Sequence, residues 1–214
     1  NQKHALTIWS FIHEHDNGIT NFHFEVAADI LTEEEIALLQ KMRPGLVQLE
    51  IGVQSTNPET ITEIHRKMDF QKVAGIVKQI NAGKNVHQHL DLIAGLPYED
   101  LDSFGKSFDE VYAVRPEQLQ LGFLKVLKGS YMAEHQQEYE LIHKDTPPYE
   151  VLSTKWLSYD DVLILKSVEE MVETFYNSGQ FHHTIMHLEP YFSSAFEMYR
   201  RMGKFYEVQG YHKQ

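Results

Sequence analysis

Residues 89–100 read HLDLIAGLPYED. His89, Asp91 and Ile93 alternate with Leu90, Leu92 and Ala94, the period of a strand whose two faces differ. Gly95-Leu96-Pro97 then ends the run, because glycine reaches backbone conformations closed to other residues and proline donates nothing to a sheet. A strand between apolar layers has no use for a carboxylate at its centre, so Asp91 must face something polar.

The neighbouring segments repeat this design. LVQLEIGVQS (46–55) sets Gln48, Glu50, Gly52 and Gln54 against Val47, Leu49, Ile51 and Val53, and FHFEVAA (22–28) sets His23, Glu25 and Ala27 against phenylalanines. LQLGFLKVL (119–127) reads as a fourth strand. Helical patterns separate them. Thr32 with Glu35 forms a capping-box signature before an apolar stretch, and Asn57-Pro58 places a cap before a first-turn proline. Val73, Ile76, Val77 and Ile80 recur at helical spacing within 70–82, with Gly83 as the stop, and Phe104, Phe108 and Val111 do so within 101–114. Residues 4–15, HALTIWSFIHEH, form another helix-like stretch. Strands alternating with helices predict an α/β chain with a parallel sheet. Beyond about residue 136 the pattern changes: HKDTPPYEVL carries a Pro-Pro break, and helices are expected over 159–178 and 189–208. The expected organisation is therefore 1–135, sheet and helices, followed by a helical extension over 136–214.

Bulk chemistry narrows the function. The 214 residues carry a formal charge of −12, a poor footprint for a nucleic-acid binder or for an anionic membrane surface. No apolar run is long enough for a membrane-spanning helix. Cysteine is absent, which excludes disulfides, zinc–thiolate sites and thiol catalysis within these residues and fits a cytoplasmic protein. The expected partner is a small molecule, without nucleic acid or membrane.

A parallel sheet is normally covered on both faces. A polar second face is either the lining of a ligand-holding barrel or a wet core whose groups satisfy one another. The turns GVQSTNPE and AGLPYED both follow strands, on the side where parallel α/β folds place ligands. Thirteen histidines leave further readings open. His87 and His89, with Asp91, have the spacing of a barrel metallohydrolase site, or they are polar lining. A non-catalytic interaction domain, docking through the C-terminal helices, is a third reading.

Taken in order, HFEVAADILTEEEIALLQKM, VQLEIGVQSTNPETITEIHRKMD, HLDLIAGLPYEDLDSF and LGFLKVLKGS resemble the radical S-adenosylmethionine (SAM) superfamily. The likeness covers about 5–135. It is nearest in flavour to the cobalamin-dependent branch that includes the anaerobic magnesium-protoporphyrin IX monomethyl ester oxidative cyclases, and coproporphyrinogen-oxidase-like members share the same strand motifs. The tail resembles an extension found in one subgroup of uncharacterised members. The resemblance implies the third to sixth βα units of a partial (β/α)6 TIM-like barrel. It also implies cofactor contacts: Glu25 to the methionyl amino group, Arg66 to its carboxylate, Gln54 and Asp91 to the ribose hydroxyls, and Ile93 against adenine.

One departure is large. The superfamily holds a [4Fe-4S] cluster with a CxxxCxxC loop, and this chain has no cysteine. The resemblance therefore implies a C-terminal fragment. The cluster ligands would lie in an N-terminal remainder of the same polypeptide, and a cobalamin domain further upstream. The parent would be an iron–sulfur oxidoreductase of oxidative-cyclase type that generates a 5′-deoxyadenosyl radical, and the fragment alone would be inactive.

Overall fold

The alternation in 22–25, 47–54, 87–94 and 118–123 becomes a four-stranded sheet in a computed structural model that describes residues 2–211. In chain order the elements are α1 (Gln2–Glu14), β1 (Phe22–Glu25), α2 (Glu33–Leu39), β2 (Val47–Gln54), α3 (Pro58–Glu63), α4 (Phe70–Asn81), β3 (His87–Ala94), α5 (Leu101–Tyr112), β4 (Gln118–Phe123), α6 (Tyr131–Glu134), β5 (Ile142–His143), β6 (Val151–Ser153), α7 (Tyr159–Val172), α8 (His182–Leu188) and α9 (Ala195–Gln209). Strands β1 to β4 are parallel and lie in sequence order, as successive βα units require. The expected α/β class and parallel sheet are present.

Local chemistry starts the helices as the sequence indicates. Thr32 and Glu35 close a reciprocal capping box, and Asn57 accepts from the Glu59 amide ahead of α3. Helix α4 differs at its end: Lys84 takes the left-handed turn at φ 52, one residue beyond the expected Gly83. One sheet face is buried under these helices through Val47, Leu49, Ile51, Leu90, Leu92 and Leu119. That single core accounts for the apolar half of each strand.

Residues after 135 are less purely helical than their pattern suggests. Strands β5 and β6 form a small antiparallel hairpin. The expected helix over 159–178 becomes α7 followed by a π-helical turn at Glu173–Asn177. The expected helix over 189–208 begins only at Ala195, because Pro190 sits in a 3-10 turn and Ser194 caps a new start. Helix α8 precedes that break, where the sequence reading places none.

This C-terminal part closes the exposed edge of the sheet. Among the described residues strand β4 has no strand partner beyond it, and Asn177 from the π turn bonds both the Leu119 amide (3.0 Å) and its carbonyl (2.9 Å). Further along, the Val151 amide donates to Leu124 and the Val126 amide to Tyr149. Helix α9 lies on α5 through Phe104, Phe108 and Tyr112 against Phe196 and Tyr199. It meets α7 at Gly203, where a Cβ would fall 2.1 Å from Ser167 Oγ. Among the described residues no helix is long and apolar enough to cross a membrane.

Candidate functional site

The second face of the sheet is polar. The register places Glu25, Glu50, His89 and Gln118 on one level, and Gly52, Asp91 and Gln120 on the next toward the strand ends. His23 Nε2 lies 2.9 Å from Glu50 Oε2. His89 Nε2 and Asp91 Oδ1 are 3.2 Å apart but out of line for a hydrogen bond, and neither of these two buried atoms has a hydrogen-bond partner among the described residues. Asp91 is pushed up to about 7, chiefly by burial, then by the carboxylates of Glu50 and Glu25, with Arg66 opposing. Burial holds His89 below the usual imidazole range, although Glu50 pulls it the other way.

Near the end of β2 the ladder slips between Gly52 and Gln54, and Gln54 adopts φ 71. This irregularity folds the Gln54 amide back over Gly52. A Cβ at position 52 would lie 2.6 Å from Gln54 Nε2 and 3.5 Å from Arg66 Nη2. Arg66 reaches the same spot from beyond α3 and donates to the Gly52 carbonyl. A cavity of about 140 Å³ opens beside it, lined by Ala27, Ala28, Gly52, Arg66 and Met68. Ile93 stands level with Gly122 across the β3–β4 pair and offers a half-buried apolar shelf. Glu25 and Arg66 both act on the charge of Asp91, and Gln54 lies with Arg66 over Gly52.

The histidines gather differently. No group of three or more His, Cys, Asp or Glu side chains among the described residues is arranged to hold a metal ion. The pair His87/His89 with Asp91 therefore does not form the ligand set of a metallohydrolase; His89 and Asp91 meet, and His87 adds no third donor to them.

Sequence reasoning missed Glu99. It is 1% exposed, and its Oε1 accepts from Ser55 Oγ at 2.6 Å and Ser107 Oγ at 2.9 Å, while Oε2 has no partner. Asn57 Nδ2 donates to the Tyr98 carbonyl (2.8 Å) and Thr60 Oγ1 to that of Pro97 (2.8 Å). Glu99 thus sits where the loops after β2 and β3 are tied together, held by Ser55, one residue past Gln54, and lying two residues after Gly95-Leu96-Pro97. Its only sequence signal was an extra acid ahead of the Asp100 cap. Burial pushes its carboxyl up to about 7, against the two hydroxyls. A raised folded pKa gives stability that is fully present below the unfolded value and is lost as pH rises through the folded one. Between pH 4.5 and 7.5 this group should cost the wild-type chain about 3 kcal/mol. Glu99→Gln should flatten that part of the profile in urea melts taken across the range. A variant as steep as wild type would exclude Glu99 as the source.

Three comparisons bear on this geometry. The structure of coproporphyrinogen III oxidase from Escherichia coli, described as a radical SAM enzyme, superposes with a TM-score of 0.58 at 17% identity, over 82% of this chain and 38% of that one. The fold is similar to that of this enzyme. Sequence likeness runs the same way: an oxygen-independent coproporphyrinogen III oxidase from Salmonella typhimurium is 29% identical over 105 residues, 46% of this chain and 23% of that protein. The related HemZ protein of Bacillus subtilis is 26% identical over 117 residues, 55% of this chain and 23% of that protein. The chain spans about a quarter of the length of these curated relatives. Residues 137–214 match a family described only as a protein of unknown function, DUF4080. Gly52, Gln54, Arg66 and Asp91 meet on the polar face of the sheet, toward the C-terminal ends of β2 and β3.

Proposed function

We propose that this chain forms part of the SAM cradle of a radical SAM enzyme. The observation that carries the reading is the Gly52–Gln54–Arg66–Asp91 constellation. It combines a strand position that a side chain would block, an amide and a guanidinium folded over it, and a buried carboxylate oxygen without a partner. These groups suit the ligand chemically: Asp91 and Gln54 take the ribose diol, Glu25 the ammonium, Arg66 the carboxylate, and Ile93 packs against adenine.

SAM fits these residues; the cluster does not, because no cysteine is present to hold iron. Its ligands must come from outside the 214 residues. SAM beside such a cluster supplies a 5′-deoxyadenosyl radical by one-electron cleavage. The contribution of these residues is to bind and orient: Asp91 fixes the ribose and Arg66 the methionyl end, while the helices behind the sheet keep water off its apolar side. An oxidative-cyclase-type oxidoreductase of the cobalamin-dependent branch is the finer form of the proposal, supported by the ordered motif series. The substrate is set by parts of the protein other than these motifs.

A nuclear magnetic resonance titration of the chain with SAM tests the reading. Without iron to anchor the amino and carboxylate groups, the expected dissociation constant is about 1 mM or weaker. Shifts should concentrate at residues 52–54, 66 and 91–93 and vanish in Arg66→Ala and Asp91→Ala. Shifts elsewhere, or tight iron-free binding in calorimetry, would contradict it.

A further inference from the structure

The helix that delivers Arg66 ends in a turn of unusual construction. The Arg66 amide donates to the Ile61 carbonyl and the His65 amide to that of Thr62, the two bonds of a Schellman motif. Its left-handed position, normally glycine, is His65 at φ 57. A side chain there costs about 1 kcal/mol, so the surroundings must hold it.

What holds it comes from residues that follow β4 in the chain. Tyr139 and Tyr131 both direct their hydroxyls to Glu63 Oε1, Tyr131 at 3.3 Å, and the two hydroxyls lie 3.2 Å from each other. The Tyr131 ring packs on the His65 ring at 4.9 Å between centroids. His65 Nδ1 contacts the Glu63 carbonyl at 2.8 Å. Tyr139 is in turn buried against Trp156, and its carbonyl accepts from the Lys155 amide. Tyr139, Lys155 and Trp156 belong to the stretch matched by the family of unknown function.

We infer that the C-terminal segment is a brace for the cofactor cradle: Tyr139 and Tyr131 grip Glu63 and His65, fix the turn after α3, and thereby aim Arg66. Tyr131 and Tyr139 are positioning residues that touch no cofactor. The inference rests on the reading of Arg66 as the group that holds the methionyl carboxylate. It gives the matched segment a role within the site, distinct from that of an appended docking domain.

Backbone hydrogen exchange and SAM titration, both on the full chain, test it. Tyr→Phe removes only the hydroxyls, so a role confined to ring packing would leave exchange unchanged. In Tyr131→Phe/Tyr139→Phe, amides 64–66 should exchange about tenfold faster while those of β2 and β3 keep wild-type rates. Glu63→Ala should behave alike, and Glu63→Gln, whose carbonyl still accepts both hydroxyls, should restore protection. SAM affinity should fall about fivefold in the double variant. Unchanged exchange at 64–66, or a uniform rise across the whole chain, overturns the brace. If Arg66→Ala leaves SAM binding intact, the carboxylate assignment fails instead, and the exchange data still decide whether the turn is braced.

Discussion

Gly95→Ala should destabilise the chain by about 2–5 kcal/mol, through two separable costs. Gly95 adopts φ +90, beyond what an alanine takes without strain of about 1–2 kcal/mol. Its new methyl would also sit 2.8 Å from Val151 Cγ1, an overlap that costs about 1–3 kcal/mol where neighbours cannot yield. Val151 is poorly placed to yield, since its amide is bonded to the Leu124 carbonyl at 2.8 Å and its side chain is fully buried. Urea denaturation of the single and double variants separates the terms. Val151→Ala should cost less in the Gly95→Ala background than in wild type, because it relieves the overlap and leaves the strain. A Gly95→Ala chain within about 0.5 kcal/mol of wild type would refute both costs. The same experiment probes architecture, since Val151 belongs to the C-terminal part and Gly95 to the end of β3.

That contact marks where the sequence stopped being legible. Strands β2 and β3 could be read because each is eight residues long and alternates, β2 throughout and β3 from His89 to Leu92, enough to distinguish faces and to turn Asp91 and Glu50 to the polar one. Helix starts could be read because caps act locally: Thr32 with Glu35, and Asn57 with Pro58, need no tertiary partner. Strands β5 and β6 are two and three residues long, too short to show any period, and are defined by pairing with each other and by their neighbours at Leu124 and Val126. Helix α8 and the late start of α9 were hidden by apolar spacing that runs across Pro190. At the candidate site, parity put Gln54 on the polar face, but the slip that folds its amide over Gly52 leaves no mark in a single sequence. Glu99 and the tyrosines at Glu63 were illegible for the same reason: their partners lie between 8 and 76 positions away along the chain.

The second large effect follows from the state of Asp91. A ribose diol donates two hydrogens, which an ionised carboxylate accepts through both oxygens and a neutral carboxyl accepts less well. Asp91 is pushed up to about 7, so in the unliganded chain much of it is protonated at neutral pH, sharing a hydrogen bond with Glu50. If Asp91 takes the ribose diol as proposed, SAM binding must expel that proton. The sign is fixed: affinity should rise with pH, by about tenfold between pH 6 and pH 8, and level off above. The groups facing Asp91 set the midpoint. Glu50 and Glu25 raise it, Arg66 lowers it, His23 sits on Glu50 at 2.9 Å, and His89, beside Asp91, is itself held below the usual imidazole range by burial. Glu50→Gln removes the strongest charge acting on Asp91 and should move the midpoint to lower pH, so that binding at pH 6 improves. Asp91→Asn should bind weakly and without the pH step. Chemical-shift titrations with SAM at pH 6, 7 and 8 measure all three. A flat profile in the wild-type chain would remove Asp91 from the ribose site. A midpoint indifferent to Glu50→Gln would mean that the carboxyl pair does not set the charge the cofactor meets.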